Sequence, residues 1–316
     1  MLKLKALLLT QGMHGMISQV EGLAKALGLS YKHEKIELNK FWNFFPPKLT
    51  PVSDFILKNK FICDSKVIIS CGRKSVIPSL LLKKRFNKEI FNIHIQDPKV
   101  DLKKFDSIVC PDHDNLFGEN VIKTKGAIHY LTRDEIQKNV KYLQPNQGEK
   151  KIVTFILGGP NKYYSFSEKH MDRMFAKIKN MFISSKYKLI VIPSYRTPEN
   201  ILKLAFNYFN QDHLVIKERD KKAYLSALGL ANIIIVTCDS TSMISEAAIT
   251  GKPVYVAQMK HKLSIHRFEK FYKLFKDLGI IRNLEDKIEY WTYDGLDEVN
   301  RAASLVKERM KKNGII

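Results

Sequence analysis

The sequence predicts an α/β protein of two Rossmann-like domains facing a cleft, and three observations lead there. Short apolar strands alternate with helical segments through the first half, the pattern of a parallel sheet with crossover helices. A polar stretch containing Pro and Gly, residues 142–151, interrupts that rhythm as a linker does, and the alternation then restarts. Each series opens with a glycine-bearing turn after its first strand, 11–19 in one and 158–161 in the other. The expected division is an N-terminal Rossmann-like domain over 1–145 and a C-terminal one over 150–290. A final helix in 291–316 is expected to pack back on the N-terminal domain.

In chain order, residues 4–9 are the opening strand. The turn after it carries Gly12 and Gly15 and leads through Gln19 into a helix at 21–27, but it lacks the full GxGxxG spacing. His14 suits an exposed turn as readily as a catalytic role. Residues 31–38 read as a strand, and 41–51, with Trp42 and three prolines, as an irregular aromatic segment that packs. After a strand at 66–70, Cys71-Gly72-Arg73-Lys74-Ser75 puts a glycine and two cations before a helix at 76–84. That arrangement suits an anion site or a solvated turn. A strand at 91–95 ends at Gln96-Asp97-Pro98, because proline cannot continue it. The strand at 105–110 delivers Pro111-Asp112-His113-Asp114-Asn115 to the carboxyl edge of the sheet, where ligands bind in open α/β folds. A histidine between two aspartates can be held in one tautomer for acid–base work, and it can equally be structural.

The second series has strands at 152–157, 188–193 and 212–216 and helices at 167–182, after Pro198, and at 220–230. It centres on residues 233–257, IIIVTCDSTSMISEAAITGKPVYVA. A short apolar run at 233–236 suits a strand buried on both faces. Good helix formers follow at 243–249, with Gly251 and Pro253 as stop signals. A helix that starts directly after a buried strand presents unpaired amides at the sheet's carboxyl edge, where an anion can bind. Ser240, Thr241 and Ser242 add hydroxyls there, and Glu246, one turn on, can accept hydrogen bonds from a sugar hydroxyl. A plain cap with a solvated Glu246 fits the same pattern. Residues 263–278 read as a packing helix with Phe268, Phe271, Leu274, Phe275 and Leu278 on one face, and the last helix spans 296–312.

The chain has 316 residues, 45% of them hydrophobic, enough for two cores. Cys63, Cys71, Cys110 and Cys238 form no CxxC or Cys/His cluster, so neither a metal site nor a disulfide framework is expected, and a reducing, cytoplasmic setting fits. No apolar run approaches the ~20 residues of a membrane span. The net charge of +21 favours anionic neighbours. Lys outweighs Arg and no zinc-finger or RNP-like motif accompanies the charge, so no specific nucleic acid is expected. A solvated basic surface and an anionic membrane surface, at the inner face of the membrane, stay open. For the latter, Lys260, Lys262, Arg267, Lys270 and Lys273 are the expected contacts.

Several segments together resemble one family, the "elongated mitochondria" mitochondrial-fission family and its bacterial relatives. They are residues 15–19 with Gly22-Leu23-Ala24, Ser70-Cys71-Gly72-Arg73, His94-Ile95-Gln96-Asp97-Pro98, Pro111-Asp112-His113-Asp114 with 118–121, and Gly126-Ala127. Leu157-Gly158-Gly159, Arg196-Thr197-Pro198, and residues 236–243 with 245–247 and 251–254 complete the set. The 233–257 stretch is also similar to the donor segment of GT-B glycosyltransferases and UDP-N-acetylglucosamine 2-epimerases. The resemblance implies a GT-B-like fold and a glycosyltransferase or epimerase that takes a nucleoside-diphosphate sugar as substrate, with no further cofactor and no metal. A non-catalytic adaptor acting through protein or membrane contacts is the alternative. The donor is expected on Gly158, Gly159, Arg196, Asp239, Ser240, Thr241, Ser242, Met243 and Glu246, and the acceptor on Gly12, His14, Gly15, Gln19, Arg73 and Asp97. His113 is the expected general base, with Asp112 or Asp114 orienting its ring. Tyr195 stands where the family commonly has a second arginine, which leaves Arg196 alone at that turn. Oligomeric state is not legible.

Overall fold

The computed structural model describes residues 4–59, 62–86, 89–146 and 148–316; Gln147, within the sequence-predicted linker, lies outside them. In chain order the elements begin with β1 (Lys5–Thr10), α1 (His14–Ala26), β2 (Ser30–Lys35), β3 (Val67–Cys71), α2 (Val76–Phe86), β4 (Phe91–Ile95), β5 (Ser107–Pro111) and β6 (Val121–Thr124). Then come α3 (Arg133–Asn139), β7 (Lys151–Leu157), α4 (Glu168–Met181), β8 (Tyr187–Pro193), α5 (Glu199–Phe209), β9 (Leu214–Val215), α6 (Lys221–Leu230) and β10 (Ile233–Thr237). The chain closes with α7 (Thr241–Ala248), β11 (Val254–Ala257), α8 (His266–Asp277), β12 (Ile281–Asn283) and α9 (Glu298–Lys312).

These elements form two compact α/β units, Met1–Tyr130 with Asp297–Ile316, and Leu131–Leu296. Each holds a six-stranded parallel sheet, ordered β2-β1-β3-β4-β5-β6 in unit 1 and β12-β11-β10-β7-β8-β9 in unit 2. The central strands β3, β4, β5 and β10 are buried at every position, which is why they read as continuous apolar runs. In each sheet the first strand of the unit lies inside, with successive connections running to opposite sides of it. The order reverses between β1 and β3 in unit 1 and between β7 and β10 in unit 2. Crevices for ligands open at the carboxyl ends of such strand pairs.

The division falls at Tyr130–Leu131, earlier than the polar stretch that suggests it in sequence. The reason is α3, whose Ile136 and Val140 pack against Gly229 of α6, while Ser226 Oγ donates to the Val140 carbonyl at 2.9 Å and accepts from Leu143 N–H at 3.0 Å. Helix α9 belongs to unit 1. Its Val299, Ala302, Ala303, Val306 and Met310 join Val20, Leu23 and Ala24 of α1 in one core cluster. Glu298 accepts from the Lys125 amide at 2.7 Å, and Arg309 donates to Ser107 Oγ at 3.1 Å.

Local differences from the sequence expectation have local causes. Helix α1 starts at His14 rather than 21, because the Met13 carbonyl accepts from the amides of Met16 and Ile17 and so winds the turn into helix. Gly22 then lets α1 lie on the backbone of His129, where an added Cβ would sit 2.5 Å from the carbonyl. The strands β6 and β12 and the helix α3 are too short to announce themselves by periodicity.

Because Met310 is fully enclosed, Met310→Ala should destabilise unit 1 by about 2–5 kcal/mol. The chain has two tryptophans, Trp42 in unit 1 and Trp291 in unit 2, so urea unfolding followed by Trp42 emission in a Trp291→Phe background reads unit 1 alone. An unshifted midpoint would show that α9 contributes nothing to that core.

Candidate functional site

Unit 2 gathers the larger constellation, at the strand reversal between β7 and β10. The turn after β7 (Gly158, Gly159) and the turn after β10 (Cys238, Asp239, Ser240) are fastened to each other through Asp239, which is 2% exposed. Its Oδ1 accepts from Thr237 Oγ1 at 2.6 Å, and its Oδ2 accepts from Arg196 at 2.7 Å and from Gly159 N–H at 3.3 Å. Thr237 Oγ1 in turn accepts from Gly158 N–H at 2.8 Å. The approach leaves no space for side chains: a Cβ on Gly158 would lie 2.1 Å from Asp239 Oδ1, and one on Gly159 would lie 1.9 Å from the Arg196 carbonyl oxygen. Burial pushes the Asp239 carboxyl above its ordinary range, while Arg196, Thr237 and the Gly159 amide favour the ionised form.

Two neighbouring turns lock onto the same spot. Thr197 Oγ1 donates to the carbonyls of Leu157 and Gly158 and accepts from Ser194 N–H. Asn161 Nδ2 donates to the Asp239 carbonyl at 3.0 Å, and its Oδ1 accepts from the amides of Tyr163 and Tyr164. Tyr272 of α8 donates to the Cys238 carbonyl, with Tyr164 Oη 3.3 Å from the Tyr272 hydroxyl.

Above this framework α7 begins. Ser240 caps it, accepting from Met243 N–H, and Thr241, Ser242 and Met243 form its partly exposed first turn. The first amides of a helix have no intrahelical acceptor, so this turn offers donors and a positive dipole end to an anion. Glu246, one turn further, is 8% exposed, and Tyr224 of α6 donates to its Oε2 at 2.8 Å. Burial raises its carboxyl to about 7, with the Tyr224 bond working the other way. Gly158, Gly159, Arg196 and Asp239 are therefore in mutual contact, and residues 240–243 with Glu246 line up along α7.

In unit 1 the expected acceptor residues spread over three turns. Gly12, at φ +82°, donates to Thr10 Oγ1 at 3.0 Å. Gly15 sits in the first turn of α1 and takes a bond from Gln19 Nε2 at 2.9 Å, and Gln96 Nε2 reaches Gln19 Oε1 at 3.5 Å. His14 is exposed, edge-on to Tyr130 with ring centroids 6.2 Å apart. Arg73 turns outward to the Asn43 carbonyl at 2.7 Å, and Asp97 accepts from Lys99 N–H within its own turn. Gly72, which the expected site omits, has φ +88° and lies where a Cβ would meet Met16 and Gln11, so it joins the β1 and β3 turns.

The expected general base lies in an enclosed turn. Pro111 ends β5 and the Asp112–Asp114 turn follows at the carboxyl edge, but the His113 side chain is 2% exposed, with Nε2 3.8 Å from Asp114 Oδ1. Residue for residue His113 is as buried as Glu246, at 7% and 8% exposed. Asp114, itself enclosed, takes a long bond from Cys110 Sγ at 3.7 Å, and Asp112 pairs with Lys123 at 3.1 Å on the surface. Neither Thr237 nor Tyr224 was legible as a site residue. Thr237 follows an apolar run as any strand end does, and Tyr224 lies 22 positions from its partner.

The family model described as "Mitochondrial fission ELM1" matches residues 14–310. This chain belongs to that family. It is similar to the mitochondrial fission protein ELM1 of Arabidopsis thaliana, at 22% identity across 98% of this chain and 92% of the relative. Among solved structures, a Listeria monocytogenes protein described as a UDP-N-acetylglucosamine 2-epimerase matches this family member with a TM-score of 0.57 at 13% identity, covering 98% of this chain and 97% of that one. The Staphylococcus aureus MnaA–UDP structure matches with a TM-score of 0.54 at 14% identity over 98% and 90%. The fold is GT-B-like: two parallel-sheet α/β domains of six strands each. Among the described residues no helix is long and apolar enough to cross a membrane.

Two outcomes test the site's electrostatics. Asp239→Ala should cost unit 2 about 2–3 kcal/mol, the value of a charged hydrogen-bond partner, since the partly exposed Arg196 can rehydrate. Trp291 emission in a Trp42→Phe background would report it, and an unchanged midpoint would remove Asp239 as the fastening. For Glu246 the folded carboxyl titrates near 7 against an ordinary 4.5, so the fold favours its protonated form. That stabilisation is complete below about 4.5 and is lost as pH rises to about 7, on the order of 3 kcal/mol. Glu246→Gln should flatten this part of the stability–pH curve, and an identical slope in the variant would refute the shift.

Proposed function

We propose that unit 2 binds a nucleoside diphosphate carried as a nucleotide sugar, with the phosphates over the first turn of α7 and the ribose on Glu246. The observation that carries this reading is the strand reversal itself. The glycine turn after β7, drawn against the β10 turn by Asp239, leaves the amino end of α7 and the buried Glu246 carboxyl one helical turn apart at the carboxyl edge of the sheet. Diphosphate takes the amides of residues 241 and 242, and a ribose hydroxyl donates to Glu246. Arg196 supports the turn through Asp239 and stays partly exposed, so one guanidinium edge remains available to an anion. The similarity in fold to a protein solved with UDP supports the ligand class.

On this reading the chain is a glycosyltransferase or nucleotide-sugar epimerase that uses the nucleotide sugar as substrate, with an acceptor or second substrate at the β1 and β3 turns of unit 1. His113, the expected base, is enclosed, and His14 is the exposed titratable side chain at the turn after β1. A second reading is favoured by the same enclosure and by the named role of the Arabidopsis relative. In it the fold binds its nucleotide without turnover and serves as an adaptor in a fission-related assembly.

Calorimetric titration with UDP tests the shared core of both readings. Glu246→Ala should weaken binding by roughly 10- to 150-fold, the range for a lost charged hydrogen-bond partner, while His113→Ala leaves it unchanged. Equal affinity of Glu246→Ala and the parent chain would overturn the assignment of the ribose.

A further inference from the structure

The segment between β2 and β3, expected to pack, packs on one side only. Its fold is well fixed. Asn39 donates to the Phe55 carbonyl at 2.5 Å, Asn43 Nδ2 to the Leu38 carbonyl at 3.2 Å, Thr50 Oγ1 to the Pro46 carbonyl at 3.0 Å, and Arg73 to the Asn43 carbonyl at 2.7 Å. Phe41, Trp42, Phe45 and Phe55 form one cluster, with centroids 4.8–5.8 Å apart along its contacts. Yet Phe41 is 62% exposed, Phe44 84%, Leu49 65% and Phe55 59%. Soluble surfaces scatter single apolar side chains; a contiguous, hydrogen-bonded aromatic face marks an interaction surface.

The charges around it select the occupant. Lys40, Lys48 and Lys74 join no ion pair among the described residues, whereas Glu37 is taken by Lys58 at 3.0 Å and Asp54 by Arg85 at 2.7 Å, which leaves Asp101 as the one acid at the groove against these cations. Beside the cluster runs an open groove of about 440 Å³ with Val52, Ile77 and Leu80 in its apolar lining and Lys48, Lys99, Asp101 and Lys104 among its polar residues, Lys99 being paired with Asp97. Exposed aromatics among free cations, beside a groove of mixed lining rich in lysine, match a bilayer interface whose headgroups are acidic: rings enter the acyl boundary while ammonium groups stay at headgroup level. We propose that unit 1 docks on anionic membranes through residues 39–58, with Phe41, Phe44 and Leu49 inserting and Lys40, Lys48 and Lys74 meeting the acidic headgroups. This places the membrane on unit 1 rather than on the basic helix α8, and it is independent of nucleotide binding.

The test uses the full chain with Trp291→Phe, so that Trp42 reports the segment, and vesicles of phosphatidylcholine with or without phosphatidylglycerol. Trp42 emission should shift to the blue with the acidic vesicles only, and cosedimentation should fade at 1 M salt, where screening shortens to about 3 Å. Phe44→Ser should lower partition about tenfold and Lys48→Glu about fivefold, with an unchanged melting temperature because both side chains are exposed, and Phe41→Ser should lower it further while loosening its contacts with Trp42 and Phe45. The proposal falls if the aromatic variants cosediment like the parent, or if Lys270→Glu with Lys273→Glu abolishes binding while they do not. It also falls if the aromatic face instead drives self-association that Phe44→Ser removes, with no vesicle binding.

Discussion

One buried carboxylate organises unit 2. Asp239 accepts from an amide, a hydroxyl and a guanidinium brought in by three different turns, and each of those turns is shaped by having to reach it. Burying a carboxylate is costly unless its oxygens are filled, and here the filling groups also fix the positions of the β7, β8 and β10 ends. The glycines at 158 and 159 follow from this: the carboxylate and the Arg196 carbonyl occupy the space a side chain would need. Asn161 and Tyr272 then fasten the loop after β7 and the helix α8 to the same turn, so the floor beneath α7 is rigid before any ligand arrives.

Both sheets put their first strand inside and reverse order beside it, and in both the turn after that first strand carries glycines. The two are built differently. In unit 2 the glycines meet the fully bonded Asp239 carboxyl group and the Arg196 carbonyl, which leave them no room to shift. In unit 1 the Gly72 joint meets the flexible ends of Met16 and Gln11, and Gly12 lies against the methylenes of Lys35. Side chains of that kind can move aside, so the unit 1 crevice can adjust to what enters it while the unit 2 crevice presents a fixed shape.

Strand cores and the strand–turn–helix at 233–257 were readable because burial on both faces demands continuous apolar runs and because helix caps and stops have few chemical solutions. The same logic made Ser240 legible as a cap. It did not extend to partners distant in sequence. Tyr224 meets Glu246, and Thr237 meets Gly158, through a fold whose register no local pattern encodes. The burial of His113 was illegible for a related reason. A histidine between two aspartates at a sheet edge has the composition of a catalytic turn, but whether the ring turns out to solvent or inward depends on how the 112–114 turn rolls, and here it rolls inward. The aromatic segment was half legible: its composition requires packing, and nothing in it tells which faces stay outside.

Helix α9 has a consequence for how the protein is made. Unit 1 begins the chain, but part of its core is supplied by residues 297–316, which emerge from the ribosome only after the whole of unit 2. Domains ordinarily condense as they are synthesised, the earlier one first. Here the order inverts: unit 2 has all its strands in hand while the face of α1 that receives Val306 and Met310 is still bare. An apolar surface is thus left uncovered for the time needed to synthesise well over a hundred residues, a window in which a holding chaperone, or a membrane already engaged by the aromatic face of unit 1, would have something to protect.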